Sequence, residues 1–344
     1  MSTDPRDKNI DNSDAAIKKS YIKRLIGSPK LIDFVFTIFC LYMIMNYITF
    51  INTIHVPIWD GAVFLLNAHQ WLNNTNLSEI HRSPIFSWII DAIWVFTGEN
   101  WTSIKFVQMA FTMAGIILLY GLLRKRKSAL FAFGVSVLTL SNANLFFYTS
   151  QIRSEGLSFF FVILTLIFLE SSRKRKSWLF TGISIGLTFG TKYPIILQSA
   201  VVFIIESIRK KDAKFSIGVI LVTISVIVLI ISIVYIKTGM FDMNIQRNSF
   251  SFTHLPNALS IWGPVIVLLP ITFLFKSTYK DKFNYIFISW FVTSLIASLW
   301  SVSSYQNWLF IEFMPSTYFL AILSIENLVK FDTNNLVFIK TKVV

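Results

Sequence analysis

Long apolar runs separated by short basic clusters dominate this sequence of 344 residues. The first run, residues 31–51, is long enough to cross a membrane, because a helical span needs about 20 apolar residues. Nine further runs follow, at 103–123, 128–147, 155–171, 178–190, 194–208, 215–236, 257–275, 283–300 and 307–328. Hydrophobic residues make up 54% of the chain and charged residues only 14%, a balance that excludes a soluble domain. The pattern therefore predicts an all-α polytopic membrane protein with about ten transmembrane helices.

The positions of lysine and arginine predict the orientation of these helices. Basic clusters separate the runs at 124–127, 173–176, 209–214 and 276–282, and another follows from Lys330 onward. If the N-terminal tail and these clusters face the cytosol, that side holds 25 of the 31 lysine and arginine residues. Ten spans with both termini in the cytosol satisfy the positive-inside rule. The expected location is the cell membrane. Nucleic-acid binding is not expected, although the net charge is +13, because the basic residues are confined to short turns.

The sequence divides into a membrane domain and two tails. Residues 31–328 form the predicted membrane domain, and residues 1–30 are predicted to be a disordered, basic cytosolic tail. Residues 329–344 are predicted to form a second cytosolic tail. The single cysteine, Cys40, excludes an intrachain disulfide and a cysteine-based metal site.

The first outer loop, residues 52–102, is the longest segment between predicted spans. Its apolar stretch at 84–98 cannot be a full span, because a span there would move the basic cluster at 124–127 to the outside. This stretch is predicted to be an interfacial helix on the outer surface. The short runs 178–190 and 194–208 are predicted to form a broken hairpin, whose irregular backbone lines a polar cavity or is buried in protein.

Ionisable residues concentrate on the predicted outer face. Asp60 precedes a glycine and an apolar run, which is typical of a helix N-cap, and it is also a candidate catalytic residue. Arg82 either anchors the interfacial helix to lipid headgroups or binds a ligand, and Arg153 with Glu155 either closes a tight turn or contributes to a site. Lys192 lies at a helix break, where a lysine is costly unless it is paired or reaches water. Three separated cations on one face suit a phosphate held at the membrane surface.

The histidines give little support to a metal site. His55, His69 and His81 share the first outer loop, but no two of them have the i, i+4 spacing that builds a zinc site on a helix. The sequence also lacks a D-x-D motif, a P-loop, a G-x-G-x-x-G motif and a serine-nucleophile elbow. No cofactor is predicted to be required, and a divalent metal stays an unsupported alternative.

Several segments, taken in order, resemble the polytopic GT-C glycosyltransferases, specifically the branch of protein O-mannosyltransferases and lipid A aminoarabinose transferases. An acidic residue follows the first span in 59-WDGAVFLLNAHQWL-72, and a basic-x-Pro motif opens an interfacial helix in 82-RSPIFSWIIDAIWVFTG-98. An arginine and an acidic residue precede a span in 151-QIRSEGLSFFFVILTLIFLE-170, and a glycine-rich span ends in Thr-Lys-x-Pro in 182-GISIGLTFGTKYP-194. The resemblance covers residues 30–210 approximately.

This resemblance implies a glycosyltransferase that moves a hexosyl or pentosyl group from a polyprenyl- or dolichyl-phosphate donor to an acceptor on the outer face. It implies inverting single displacement, with Asp60 as the catalytic base and with Arg82, Arg153 and Lys192 as contacts of the donor phosphate. The secondary candidates are His55, His81, Glu155 and Tyr305. The implied partners are the lipid-linked sugar donor, membrane lipids and an acceptor that is a protein, a lipid or a glycan.

Two other classes of protein fit part of the pattern. A transporter or flippase for lipid-linked saccharides should show internal repeats and polar residues near the midplane, and neither is clear in this sequence. A noncatalytic membrane subunit of envelope assembly is the third class. Turnover of a donor by the purified protein separates the first class from the other two.

Overall fold

The computed structural model describes residues 28–53, 57, 59–73, 75–77, 82–171, 176–241, 249–250, 263–301 and 314–330. The helices in these ranges are α1 (Pro29–Thr53), α2 (Trp59–Leu72), α3 (Pro84–Thr97), α4 (Trp101–Arg124), α5 (Ala129–Leu140), α6 (Ala143–Thr149), α7 (Glu155–Glu170), α8 (Ser177–Thr191), α9 (Ile196–Lys210), α10 (Ala213–Thr238), α11 (Leu268–Phe273), α12 (Lys276–Lys280), α13 (Asn284–Leu299) and α14 (Met314–Val329). Short 3-10 turns at Tyr193–Ile195 and Gly263–Val267 precede α9 and α11. The two-residue strands β1 (Ser249–Phe250) and β2 (Trp300–Ser301) pair antiparallel.

Three of the described helices, α1, α4 and α10, are long and apolar enough to cross a membrane. Helices α5 and α6 supply a fourth span if they count as one helix bent by 57° between them. Helices α7, α8 and α9 have 16, 15 and 15 residues and are shorter than the about 20 residues of a full span. The prediction of a helical membrane protein is confirmed, whereas the count of about ten transmembrane helices stays a prediction.

Side-chain caps explain where several helices begin. Asn100 accepts a hydrogen bond from the backbone N–H of Thr102 at the start of α4, and Asp212 accepts one from Phe215 at the start of α10. Ser141 is the C-cap of α5. The next residue, Asn142, is the N-cap of α6, and its side chain accepts hydrogen bonds from the backbone N–H groups of Asn144 and Leu145. Each cap satisfies a backbone donor that the first helical turn leaves without a partner. The bend between α5 and α6 therefore has a local cause in the sequence.

The main core takes buried residues from every described α-helix except α2, α3 and α12. The rings of Phe287 and Phe319 stack with centroids 3.9 Å apart, and Trp290 beside them is fully buried. A second, smaller core packs α2 and α3 against the starts of α4 and α7. In it, Phe64 of α2 meets Phe86 of α3 with ring centroids 5.1 Å apart. This second core holds the two helices of the first loop in place.

Glycines on α8 allow two helices to approach it closely. A Cβ added at Gly182 would lie 2.7 Å from Val222 of α10, and one at Gly186 would lie 2.6 Å from Val226. Gly190 is one turn further along and lies against Ile85, at the start of α3. Small residues at a spacing of four are typical of close helix packing in membranes. This packing fixes the end of α8, which is followed by the break predicted at 190–194.

The helix predicted over 84–98 is present as α3, from Pro84 to Thr97. Proline suits the first helical position because its missing N–H would have no partner there, and Gly98 ends the helix with a φ of 67°. Its location at the membrane surface stays a prediction.

Candidate active site

Five ionisable side chains form a continuous ion-pair network. One carboxylate oxygen of Asp60 lies 2.9 Å from Nη2 of Arg82, and the other lies 2.9 Å from Nη2 of Arg153. Nε of Arg153 donates a hydrogen bond to Oε1 of Glu155 at 3.2 Å. Nζ of Lys192 lies 3.6 Å from the same Glu155 oxygen. Three cations and two carboxylates therefore alternate, and the network has one positive charge in excess.

Four helical segments begin at this network. They are α2 at Trp59, α3 at Pro84, α7 at Glu155 and the 3-10 turn at Tyr193. Each network residue lies within the first turn of one of these segments or within two residues before it. The start of a helix carries backbone N–H groups without helical partners and the positive end of the helix dipole, so it favours an anion. At the 3-10 turn, the N–H groups of Lys192, Tyr193 and Ile195 already have partners. The starts of the three α-helices and the excess of cations make this junction suited to binding an anion.

The five side chains of the network differ in exposure. The exposed fraction of the side chain is 30% for Arg82 and 23% for Asp60. It is only 8% for Arg153, 7% for Lys192 and 3% for Glu155. Arg82 and Asp60 are therefore the most accessible residues of the network, and the other three residues lie buried beneath them.

Several groups hold Arg153 in position. Its guanidinium carbon lies 5.0 Å from the ring centroid of Tyr148, at a distance suited to a cation–π contact. Burial alone would lower the pKa of the Arg153 guanidinium, but the carboxylates of Glu155 and Asp60 outweigh burial and raise this pKa. Arg153 therefore stays charged in its buried position.

The local sequence explains how the segments meet. A Cβ added at Gly61 would lie 2.8 Å from the carbonyl oxygen of Ile152, so only glycine allows α2 to begin this close to the loop at 150–154. The hydroxyl of Ser83 accepts a hydrogen bond from the backbone N–H of Tyr193 at 3.1 Å. This bond ties the start of α3 to the break that follows Lys192. Gly61 and Ser83 thus bring Asp60 and Arg82 to the buried residues of the network.

The structure differs from the N-cap interpretation of Asp60. Helix α2 begins at Trp59, so Asp60 lies inside the first turn, and its two oxygens face Arg82 and Arg153. A carboxylate in the first turn still interacts favourably with the helix dipole. The long-range ion pairs, rather than a local cap, therefore determine where this side chain points.

The predicted candidates have different outcomes. The structure brings together Asp60, Arg82, Arg153, Lys192 and the secondary candidate Glu155. The secondary candidates His55, His81 and Tyr305 lie outside the described residues. His69 lies near the far end of α2, where its Nδ1 is 2.6 Å from Glu99 and both side chains are about half exposed. Within the described ranges, no three histidine, cysteine, aspartate or glutamate residues are placed to hold a metal ion.

Buried amides near the network were not predicted from the sequence. The side chains of Gln108 and Gln151 are 0% and 2% exposed, and neither amide has a hydrogen-bond partner among the described residues. Oε2 of Glu155 is also buried and has no hydrogen-bond partner among the described residues. Gln108 packs beside Gly156, since a Cβ there would lie 3.2 Å from its Cδ. A polar amide within an apolar run is unusual at membrane depth, and that signal could have identified Gln108.

The fold and the site together define a helical membrane protein with an acidic residue on the first-loop helix and cations at helix starts. Residues 81–236 match the family model described as dolichyl-phosphate-mannose-protein mannosyltransferase. No curated protein matches the chain.

Two crystal structures of ArnT from Cupriavidus metallidurans share the fold. The structure bound to undecaprenyl phosphate is 11% identical with a TM-score of 0.66, and the comparison covers 84% of this chain and 60% of that chain. The apo structure is 14% identical with a TM-score of 0.67, and the comparison covers 84% and 59%. This chain thus spans about three fifths of the ArnT chain. The resemblance to the mannosyltransferase and aminoarabinose transferase branch is confirmed.

Proposed function

We propose that this protein is a glycosyltransferase that uses a polyprenyl- or dolichyl-phosphate sugar and transfers the sugar to an acceptor hydroxyl. The observation that carries the proposal is the position of Asp60, with both oxygens 2.9 Å from arginines at the junction of four helix starts. The family match and the fold shared with a structure that binds undecaprenyl phosphate support the same donor class. The acceptor is a protein, a lipid or a glycan.

The network contains the groups that an inverting single displacement needs. The acceptor oxygen attacks the anomeric carbon, and its proton passes to a carboxylate oxygen of Asp60. The bond between the anomeric carbon and the phosphate oxygen breaks, and its electron pair leaves with the lipid phosphate. Arg82, Arg153 and Lys192 then stabilise the charge that develops on the leaving phosphate. Because these cations supply that stabilisation, the proposed reaction includes no cofactor.

We further propose that the network lies near the outer surface of the cell membrane. With the basic clusters at 173–176 and 209–214 in the cytosol, α7 and α8 would extend about 24 and 22 Å from that side at ~1.5 Å per residue. The hydrocarbon core is about 30 Å thick, so the ends of these helices would reach the outer part of the bilayer. That depth suits a phosphate whose polyprenyl chain lies in the membrane. Ten spans, both termini in the cytosol and helices α2 and α3 at the outer interface complete this topology.

The proposed domains follow from the same topology. A membrane domain at 31–328 contains the outer catalytic loop at 52–102, and cytosolic tails precede and follow it at 1–30 and 329–344. Most of each tail lies outside the described residues.

Two exposed positions test the orientation by cysteine labelling in a Cys40→Ala background. Glu99 follows α3 on the proposed outer side, and Lys214 lies in a basic cluster on the proposed cytosolic side. With intact cells and an impermeant thiol reagent, we expect Glu99→Cys to be labelled and Lys214→Cys to be labelled only after lysis. The opposite pattern would place the network in the cytosol and would contradict the outer-face assignment.

The reaction itself is tested with purified protein and a panel of polyprenyl-phosphate sugars. We expect at least one sugar donor to release polyprenyl phosphate, and we expect this release to require Asp60. A membrane extract supplies the acceptor, and measuring free lipid phosphate detects transfer to any acceptor in it, water included. A protein that binds polyprenyl phosphate but releases it from no member of the panel would favour the transporter or noncatalytic alternatives.

A further inference from the structure

We propose that Asp60 and the donor phosphate compete for the guanidinium group of Arg82, so that donor binding releases Asp60 from Arg82 before the acceptor reacts. The proposal rests on the proposed donor class and adds an order of events to it. In this order the donor binds first, and the carboxylate becomes available as a base only in the donor complex.

The starting point is the pairing of Asp60 with the two arginines. Each carboxylate oxygen lies 2.9 Å from an arginine nitrogen, one on Arg82 and one on Arg153. A general base needs an oxygen directed at the hydroxyl from which it takes the proton. With both oxygens directed at cations, Asp60 instead occupies the position in which a phosphate would meet these two guanidinium groups.

The two arginines differ in exposure. This difference indicates which of them exchanges Asp60 for the phosphate. Arg153 is 8% exposed, donates to Glu155 at 3.2 Å and lies 5.0 Å from the ring of Tyr148. Arg82 is 30% exposed and precedes the first turn of α3. A phosphate arriving from outside therefore meets Arg82 first, while Arg153 keeps the other oxygen of Asp60 in place.

Guanidinium groups bind phosphate through paired hydrogen bonds, so a bound phosphate is a strong competitor for Arg82. When Arg82 turns to the phosphate, Oδ1 of Asp60 loses its partner and can accept the proton of the acceptor hydroxyl. After transfer, the lipid phosphate leaves and Arg82 returns to Asp60. Arg82 thus acts both on the donor phosphate and as a positioning residue for the base.

Competition predicts that removing the charge of Asp60 strengthens phosphate binding. The probe is a polyprenyl monophosphate without sugar, which binds but cannot react, titrated against the purified full chain. We expect Asp60→Asn to bind this lipid about tenfold more tightly than the parent. In the parent, the phosphate has to displace a charged carboxylate from Arg82, whereas in the variant it displaces only a neutral amide. The matched control is Asp91→Asn, a change of the same kind on α3 outside the network, which should bind like the parent.

A double-mutant cycle tests the role of Arg82. If Arg82 is the group that is exchanged, the gain from Asp60→Asn should fall below about threefold in an Arg82→Gln background, because coupled residues are not additive. Thermal unfolding of every variant checks that each is folded.

The outcomes separate this proposal from the proposed function. A parent that binds polyprenyl phosphate and an Asp60→Asn variant that binds it equally or more weakly would overturn the competition and leave the enzyme class intact. A gain that persists undiminished with Arg82→Gln would overturn the assignment of Arg82. A parent that does not bind polyprenyl phosphate at all would remove the proposed donor class, and the competition with it.

Discussion

Asp60→Asn should reduce turnover about 100- to 10,000-fold, because loss of a general base typically has an effect of that size. The amide has nearly the same size as the carboxylate, but it cannot take a proton from an acceptor at neutral pH. The measurement is the rate at which purified protein releases lipid phosphate from its sugar donor. The variant should therefore bind polyprenyl phosphate more tightly than the parent and react far more slowly.

A matched control isolates this effect. Glu99→Gln also removes one carboxylate from the same loop, but Glu99 is half exposed and pairs with His69 away from the network. Exposed pairs contribute little to stability, so this variant should keep parental turnover and unfold at the parental temperature. If Asp60→Asn kept more than a tenth of parental turnover, the base would have to be sought elsewhere, first at Glu155 and then at Glu79, which lies outside the described residues.

Arg153→Glu should prevent the protein from folding stably, which is the second large effect. The side chain is 8% exposed and contacts the carboxylates of both Asp60 and Glu155. Removing one partner of a buried ion pair typically costs about 3–5 kcal/mol, and the new carboxylate would add repulsion to that loss. We expect a large fall in the thermal unfolding midpoint in detergent, together with a lower yield of monodisperse protein.

Arg82→Glu is the comparison for that variant, because the same charge change occurs at a residue that is 30% exposed. It should fold and insert, and its affinity for a polyprenyl-phosphate sugar should fall about ten- to a hundredfold through the lost contact with phosphate. An Arg153→Glu protein as stable as Arg82→Glu would show that the buried half of the network contributes nothing to stability.

Some features of this protein follow from its sequence by itself. The apolar runs at 31–51, 103–123 and 215–236 agree with α1, α4 and α10 to within about two residues at each end, the usual uncertainty of helix boundaries. The break between the runs 178–190 and 194–208 was also predictable. These features are local, because the hydrophobicity of a run and the caps and prolines beside it act within a few residues.

The sequence also identified all five members of the network as candidates, with Glu155 as a secondary one, and, through its motifs, the family they resemble. It did so because a charged residue next to an apolar run is conspicuous in a membrane protein. It could not decide their partners. Asp60 could be an N-cap, Arg82 a lipid anchor and Arg153 half of a local turn, and nothing within a few residues of each separates these roles.

The tertiary structure alone decided the pairing. Asp60 and Arg153 are 93 positions apart, and they meet because Gly61 lets α2 begin against the carbonyl of Ile152. The sequence shows that Gln108 is a polar residue within an apolar run, but its position beside Gly156 and the network depends on packing. Contacts of this kind depend on how closely the backbones of different helices approach, and that distance depends on side chains far apart in the chain. The composition of the site is therefore largely a property of the sequence, whereas its geometry is a property of helix packing.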